Sequence, residues 1–350
     1  MNFHSQPISF RKYSLIVSYA FFGIVIIIWG MEFYFQTLSG DLTRVGRFSE
    51  RDFGWNTPQP AIPIGQFKNY SLNEADIVVV GDSFSAGRVW QTKLIYEGLK
   101  VSTLTWRELK MEEALPGNLG EALRAEGFKG RYIIIESVER VLQRRAKSLT
   151  KIPRPMTIAI SVPLPPPMTQ RERVSLNKPN GGAWGFKTLY NTLKLSLNLP
   201  EKYLKSEWVQ PIKFNGCQLF SHRLCNYALF IESDFKKETF TSIANILTIN
   251  SNLLSVGIQP IWAIVPDKAT VYLGYGALNQ HPYQNIWQLF SQYPELITPD
   301  LGELFIQKSR IIKDFYMPND THLSTNGFLY LGDIMLSELR KIQTNQTKPM

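Results

Sequence analysis

Apolar positions divide the chain into three regimes. From Tyr13 to Met31 the stretch YSLIVSYAFFGIVIIIWGM holds no charged residue. At about 1.5 Å rise per residue a helix of this length reaches across a hydrocarbon core of roughly 30 Å, so residues 1–35 read as a cytoplasmic tip followed by a transmembrane anchor. Residues 36–75 show neither a helix nor a strand period, and with Pro58, Pro60 and Pro63 among scattered polar residues they read as a tether and lead-in. From residue 76 short β-branched runs alternate with helix-period stretches. DIVVV (76–80) is followed by a helix from Ser85 to Gly98, KVSTLT (100–105) by a helix around Leu119 to Glu126, and RYIIIE (131–136) by a helix through VERVLQRRA. Continuous apolar runs of that length, separated by helices, are buried parallel strands in βαβ units.

The rhythm breaks between about 147 and 235. PLPPP at 163–167, NGGAWG at 180–185 and an aromatic, turn-rich sequence predict an irregular or β insertion. It resumes with a helix in FKKETFTSIANILTINSNLLSVG (235–257), a strand in QPIWAIV (259–265), a last strand in RIIKDFYM (310–317) and a final amphipathic helix from Thr325 to about Ile342. The expectation is one α/β domain over 76–345, interrupted by the insertion.

Charge sets the orientation. Arg11 and Lys12 precede the apolar run while Glu32 and Asp41 follow it, which leaves the bulk of the chain outside the cytoplasm: a single-pass inner-membrane protein with a periplasmic domain. A cleaved signal peptide is the alternative, although the run exceeds a usual h-region and the nearest small-residue site is the poor Thr37-Leu38-Ser39. Both readings export the domain. The net charge of +9, from 38 basic and 29 acidic residues, draws anionic partners, but no dense Lys/Arg block occurs, and export separates the domain from nucleic acid. Cys217 and Cys225 in GCQLFSHRLCN are spaced for a hairpin or loop to join them in an oxidising compartment, with two unpaired thiols as the other possibility. Four histidines form no cluster at metal-ligand spacing, and neither a metal nor another cofactor is expected.

In an open parallel sheet reactive groups gather outside the C-terminal ends of the strands. Four places fall there: Ser83 in VVVGDSFSAG, Glu136, Pro266-Asp267-Lys268, and Asp320 with His322. A serine hydroxyl is inert until an imidazole takes its proton and a carboxylate orients that imidazole. Asp320 and His322 are separated by one residue, so in an extended loop both side chains leave on the same side. Taken singly, each stretch also has an ordinary role, NDTHLS as the start of a helix capped by Ser324 or Thr325, and Gly81-Asp82-Ser83 as a tight turn with Ser85 capping. Glu136, Glu139 and Arg140 are either a feature of the site or a buried ion pair fixing the loop after the third strand. Lys268 and Tyr272 divide in the same way, an anion-drawing edge of the crevice or a structural pairing. Trp90, Leu94 and Ile95 have core spacing, and Trp184 in its Gly-rich loop is a candidate sugar platform.

GDSFS after a hydrophobic strand, with D-x-H before the last helix, resembles the SGNH (GDSL-type) hydrolase superfamily. IIIESVER (133–140), VPDKATVY (265–272) and DTHLSTNG (320–327) resemble the W-E-x-P-E-R, P-x-K-x-x-x-Y and D-T-H-W-T-x-x-G stretches of its alginate O-acetyltransferase-like branch. The resemblance implies a three-layer α/β/α, flavodoxin-like fold with Ser83 as nucleophile, His322 as base and Asp320 as its orienter. It also implies candidate substrate contacts at Lys268, Tyr272 and Arg140, a polysaccharide acceptor and a membrane-bound acyl-donor protein. Three departures stand out. The serine motif here precedes the D-T-H motif, the reverse of the alginate enzymes; ordinary GDSL enzymes carry D-x-x-H where this chain has D-x-H; and their Gly and Asn oxyanion donors have no counterpart that can be assigned. The backbone N–H of Ser83 is the candidate oxyanion donor, with Asn180 an outside one. The expected function is a membrane-anchored O-acyltransferase working through a serine acyl-enzyme. A carbohydrate acetylesterase with the same triad and a catalytically silent glycan-binding scaffold are the alternatives.

Overall fold

The computed structural model describes residues 10–35, 39–106, 119–149, 183–236, 240–277 and 285–347. Four of the apolar runs pair as a parallel sheet: β1 (Ile77–Gly81), β2 (Val101–Thr105), β3 (Tyr132–Val138) and, after a separate hairpin, β6 (Gln259–Val265), in the order β2-β1-β3-β6. Val79 lies between Thr103 on one side and Ile134 on the other, and every residue of β1 and β3 is buried. A strand covered on both faces has no use for alternation, which is why these runs are continuously apolar. The chain leaves β1 toward β2 and then crosses to β3 on the other side. The strand order therefore reverses at β1, and the crevice that such a reversal opens lies at the C-terminal ends of β1 and β3.

In chain order the helices are α1 (Phe10–Phe35), α2 (Asp41–Gly46), α3 (Glu50–Phe53), α4 (Ser83–Ala86), α5 (Gln91–Tyr96), α6 (Leu119–Ala125), α7 (Leu142–Leu149), α8 (Ala183–Ser196), α9 (Glu201–Leu204), α10 (Ile243–Ser255), α11 (Lys268–Ala277), α12 (Ile286–Phe290), α13 (Leu301–Ser309) and α14 (Thr325–Thr347). Within α1, Phe10–Met31 is long and apolar enough to cross a membrane. Helices α6, α7 and α10 pack together, α5 packs on α14 and α11 on α13. Trp90 and Leu94 are fully buried with Ile95 against the same core, as their spacing predicts.

Four expectations from the sequence change. The lead-in at 36–75 is not a tether: α2 and α3 bury Leu42, Phe48 and Phe53 in a second core cluster with Leu195, Leu204, Val209, Tyr227 and Leu229. The insertion at 147–235 contributes the other half of that cluster through α8, α9 and an antiparallel hairpin, β4 (Val209–Lys213) and β5 (Tyr227–Ile231), while residues 150–182 lie outside the described residues. Cys217 and Cys225 are bonded just before β5. The helix predicted over 85–98 is two, because Arg88 between α4 and α5 takes a left-handed φ of 54°, and the helix of 235–257 begins only at Ile243.

The fourth change concerns RIIKDFYM, which is not a strand. Asp314 interrupts it at a φ of 53°, with one carboxylate oxygen accepting from the Ser221 backbone N–H (2.8 Å) and the other from Thr57 Oγ1 (2.5 Å). Phe315 and Tyr316, fully buried, anchor a loop, and its single strand-like feature is an isolated bridge between Tyr316 and Leu323. Their apolarity reflects anchoring of that loop in the core, a need that local periodicity does not distinguish from a buried strand.

Candidate active site

The turn after β1 is shaped by what surrounds it. A Cβ on Gly81 would collide with Ser85 Oγ and Glu136 Oε2, so the position needs room rather than a special φ. Asp82, and not Ser85, caps α4: its Oδ1 accepts from the Phe84 backbone N–H at 2.8 Å. Ser83 becomes the first residue of that helix, exposed at the crevice, where a backbone N–H has no intrahelical carbonyl to reach and is free to face an oxyanion. Beneath it Ser85 Oγ–H and the Asp82 backbone N–H both donate to Glu136 Oε2 at 2.8 Å. Burial, and then the charge of Asp82, push the Glu136 carboxyl well above the usual range. Burial acts the same way on Asp82, but the Arg145 guanidinium and backbone N–H groups overcome it and hold Asp82 low. Of this buried pair, Glu136 is the one protonated first.

At the other end of the chain the NDTHLS loop meets this turn. Ser83 Oγ–H donates to His322 Nε2 at 2.7 Å, and His322 Nδ1–H donates to Asp320 Oδ1 at 2.6 Å. The assignment follows from Asp320 being ionised: a carboxylate only accepts, so Nδ1 carries the proton and Nε2 the lone pair. Asp320 is held by two further donors, the His322 backbone N–H on Oδ1 and the Asp41 backbone N–H on Oδ2, both at 3.0 Å. Burial works against its charge, yet the hydrogen bond and charge of His322 together with these N–H groups depress it far below the usual range. Burial likewise opposes a charged His322, but the bond to Asp320 and the charges of Asp320, Asp41 and Asp82 prevail and lift the imidazole above its ordinary value. The Phe84 ring, 4.9 Å away, packs against the imidazole and limits its swing.

Asp41 is the residue that sequence reasoning missed. It belongs to the segment read as a tether, yet it reaches Asp320 across 279 residues, accepts from Thr321 N at 2.8 Å and Thr321 Oγ1 at 2.6 Å, and lies 3.9 Å from His322 Nδ1. Burial, then the Asp320 charge, raise its carboxyl. Nearby, Asn319 donates to Glu50 Oε2 while Leu42 N and Thr43 N donate to the Asn319 carbonyl. No local pattern in residues 36–53 signals this, because its partners are the far end of the chain. Asp41, Asp320 and His322 also gather ligand-type atoms within 4.8 Å of one another. All four of the carboxylate oxygens already accept from protein N–H or O–H groups, which leaves the set poorly suited to a cation.

The three candidate substrate contacts do other work. Lys268 is 1% exposed, and its ammonium donates to the carbonyls of Met317 (2.8 Å), Pro318 (2.9 Å) and Asp320 (3.1 Å). Burial pushes it down to about 7 against the pull of Asp320 and its neighbours. Tyr272 Oη accepts from the Tyr316 backbone N–H at 3.1 Å and is buried. Arg140 pairs with Asp267 and Asp234, and Glu139 accepts from Asp267 N and Thr270 Oγ1, so the expected buried pairing is present with different partners. Lys268 and Tyr272 are closed off from solvent, while Arg140 keeps a partly exposed side chain. Lys268 and Tyr272 instead staple the loop that carries Asp320 and His322 to the segment after β6. Trp184 opens α8 rather than sitting in a loop, and Asn180 lies outside the described residues. No protein-family model, curated protein or solved structure matches this chain.

Proposed function

We propose that the chain is a serine-dependent O-acyltransferase, anchored by α1 in the inner membrane with its domain in the periplasm, that moves an acetyl group onto a polysaccharide hydroxyl. The observation that carries the reading is the unbroken relay Ser83–His322–Asp320, with both links shorter than 2.8 Å. Ser83 Oγ attacks the donor's acyl carbonyl while its proton passes to Nε2. The tetrahedral oxyanion faces the Ser83 backbone N–H at the start of α4, and collapse expels the donor's leaving oxygen with the proton from Nε2. The acyl-Ser83 ester is then attacked by a sugar hydroxyl, whose proton His322 takes in turn, and collapse breaks the Ser83 ester as Nε2 returns that proton to Ser83 Oγ. The three-layer SGNH-like architecture and a membrane-bound acyl-donor partner belong to the same proposal.

A second reading, hydrolysis with water as acceptor, is favoured by the exposure of Ser83. The two are separated by incubating the full-length protein with an activated acetyl ester with and without polysaccharide. Acetate release unchanged by glycan supports the esterase, whereas glycan-dependent loss of acetate into acetylated polymer supports the transferase. An acetyl-free Ser83 peptide and no acetate release from the purified protein, together with polymer acylation in cells left intact by Ser83→Ala, sink both and leave a glycan-binding scaffold.

The raised His322 gives a pH prediction. The base works only when neutral, so activity falls as pH drops through its folded pKa, and the acid limb of kcat/KM sits above pH 6.5. Asp41→Asn removes one of the charges that lift the imidazole and moves that limb to lower pH, which a kcat/KM profile with an acetyl ester measures.

A further inference from the structure

Helix α8 has two faces. Thr188, Asn191 and Leu195 point into the second core and are buried. On the opposite side Phe186, Tyr190 and Leu193, followed just past the helix end by Leu197, at spacings of four, three and four, are between 50% and 69% exposed. Tyr203 and Trp208, just beyond, are 55% and 69% exposed. Lysines border this face: Lys202 lies over the Tyr203 ring and Lys187 pairs with Glu207, while Lys194, over the Tyr190 ring, is buried. A continuous apolar stripe of this kind is costly to leave in water.

The position of α8 against α1 identifies what covers it. Among the described residues of α1 only Gly23, Val25, Ile28 and Met31 are part-covered, all in its outer half, and α8 is the helix packed beside it. Met31 closes the membrane-length segment. At about 1.5 Å per residue Val25 lies roughly 9 Å inside that end, which matches the roughly 5–10 Å depth at which amphipathic helices rest in the interface between headgroups and acyl chains. We infer that α8 is an interfacial helix whose Phe186, Tyr190 and Leu193, with Leu197 just beyond its end, are immersed in the outer leaflet of the bilayer that α1 crosses, with Tyr203 and Trp208 at headgroup level and Lys187 and Lys202 toward lipid phosphate. The inference rests on α1 crossing the membrane and is independent of the triad. It turns the anchor from a leash into one of two membrane contacts and holds the domain at a set orientation on the bilayer.

The test uses the full-length chain, one copy per nanodisc of phosphatidylcholine and phosphatidylglycerol. Both native cysteines are bonded to each other, so Leu193→Cys, Leu197→Cys, Ser255→Cys on α10 and Ile16→Cys within α1 each supply a single labelling site for a fluorophore. Because 193 and 197 are surface positions, these variants leave the core intact. The expected result is iodide quenching at 193 and 197 at least about fivefold weaker than at 255, with quenching by nitroxide-labelled lipid approaching that at 16. Iodide access at 193 and 197 equal to that at 255 overturns the inference. So does shielding from iodide without lipid quenching, which would place protein rather than lipid over the stripe.

Discussion

Asp320→Asn lowers the rate of Ser83 acylation on the order of 10⁴-fold, the loss expected when a serine triad keeps its atoms but loses the right imidazole tautomer. Both carboxylate oxygens of Asp320 face N–H donors: Oδ1 meets His322 Nδ1 and the His322 backbone, and Oδ2 meets the Asp41 backbone. An amide in the same place must turn its NH2 toward one of them. Turned toward His322, it stabilises the tautomer with the proton on Nε2, which cannot take the Ser83 proton. Turned toward Asp41, it sets two donors against each other and loosens the lead-in. Labelling of the variant by a serine-reactive fluorophosphonate, alongside Ser83→Ala as the zero point, reads the effect directly. A loss of less than tenfold would show that Asp320 does not orient the base. Loss of folding is distinguished by unchanged circular dichroism and unfolding midpoint.

Lys268→Met destabilises the protein by about 3 kcal/mol or more, since each buried carbonyl deprived of its donor costs about 1–3 kcal/mol, less than additively for three that share one site. Methionine fills much of the lysine's volume, so the missing ammonium and not a cavity dominates. Three carbonyls within residues 317–320 depend on that single group, and the stem that carries it is closed off from solvent. Against a typical domain stability of about 5–15 kcal/mol the change is visible as a lower urea midpoint in detergent. Fluorophosphonate labelling falls with it, because the staple fixes the loop that presents His322. A variant as stable as the wild type would show that Lys268 does not staple the loop.

The paired strands were legible in the sequence because a strand buried on both faces needs an unbroken apolar run, and IVVV, YIII and PIWAIV satisfy that requirement with local residues alone. The serine and the D-x-H pair were legible for a related reason. Asp320 and His322 are two residues apart, so their bond is nearly a local property, and a serine at a strand-to-helix turn has few other ways to point. The membrane-length helix follows from composition over a single window.

Tertiary structure decided what depends on distant partners. Asp41 and Glu50 lace the lead-in to a loop some 270–280 residues away, and no period within 36–53 encodes that. Lys268, Tyr272 and Arg140 carry the same side chains whether they face a substrate or a neighbouring loop; burial ties Lys268 and Tyr272 to the loop, and the Asp234 and Asp267 carboxylates hold the part-buried Arg140. Phe315 and Tyr316 are apolar enough for a strand, but the Asp314 carboxylate finds its donors at Thr57 and Ser221 and the backbone turns to reach them. The sequence by itself therefore determined the buried strands of the sheet, the membrane-length helix and the pairing of Asp320 with His322. Packing decided which polar groups meet, because a hydrogen bond is satisfied by whichever partner the fold brings within about 3 Å, and chain order places no limit on that choice.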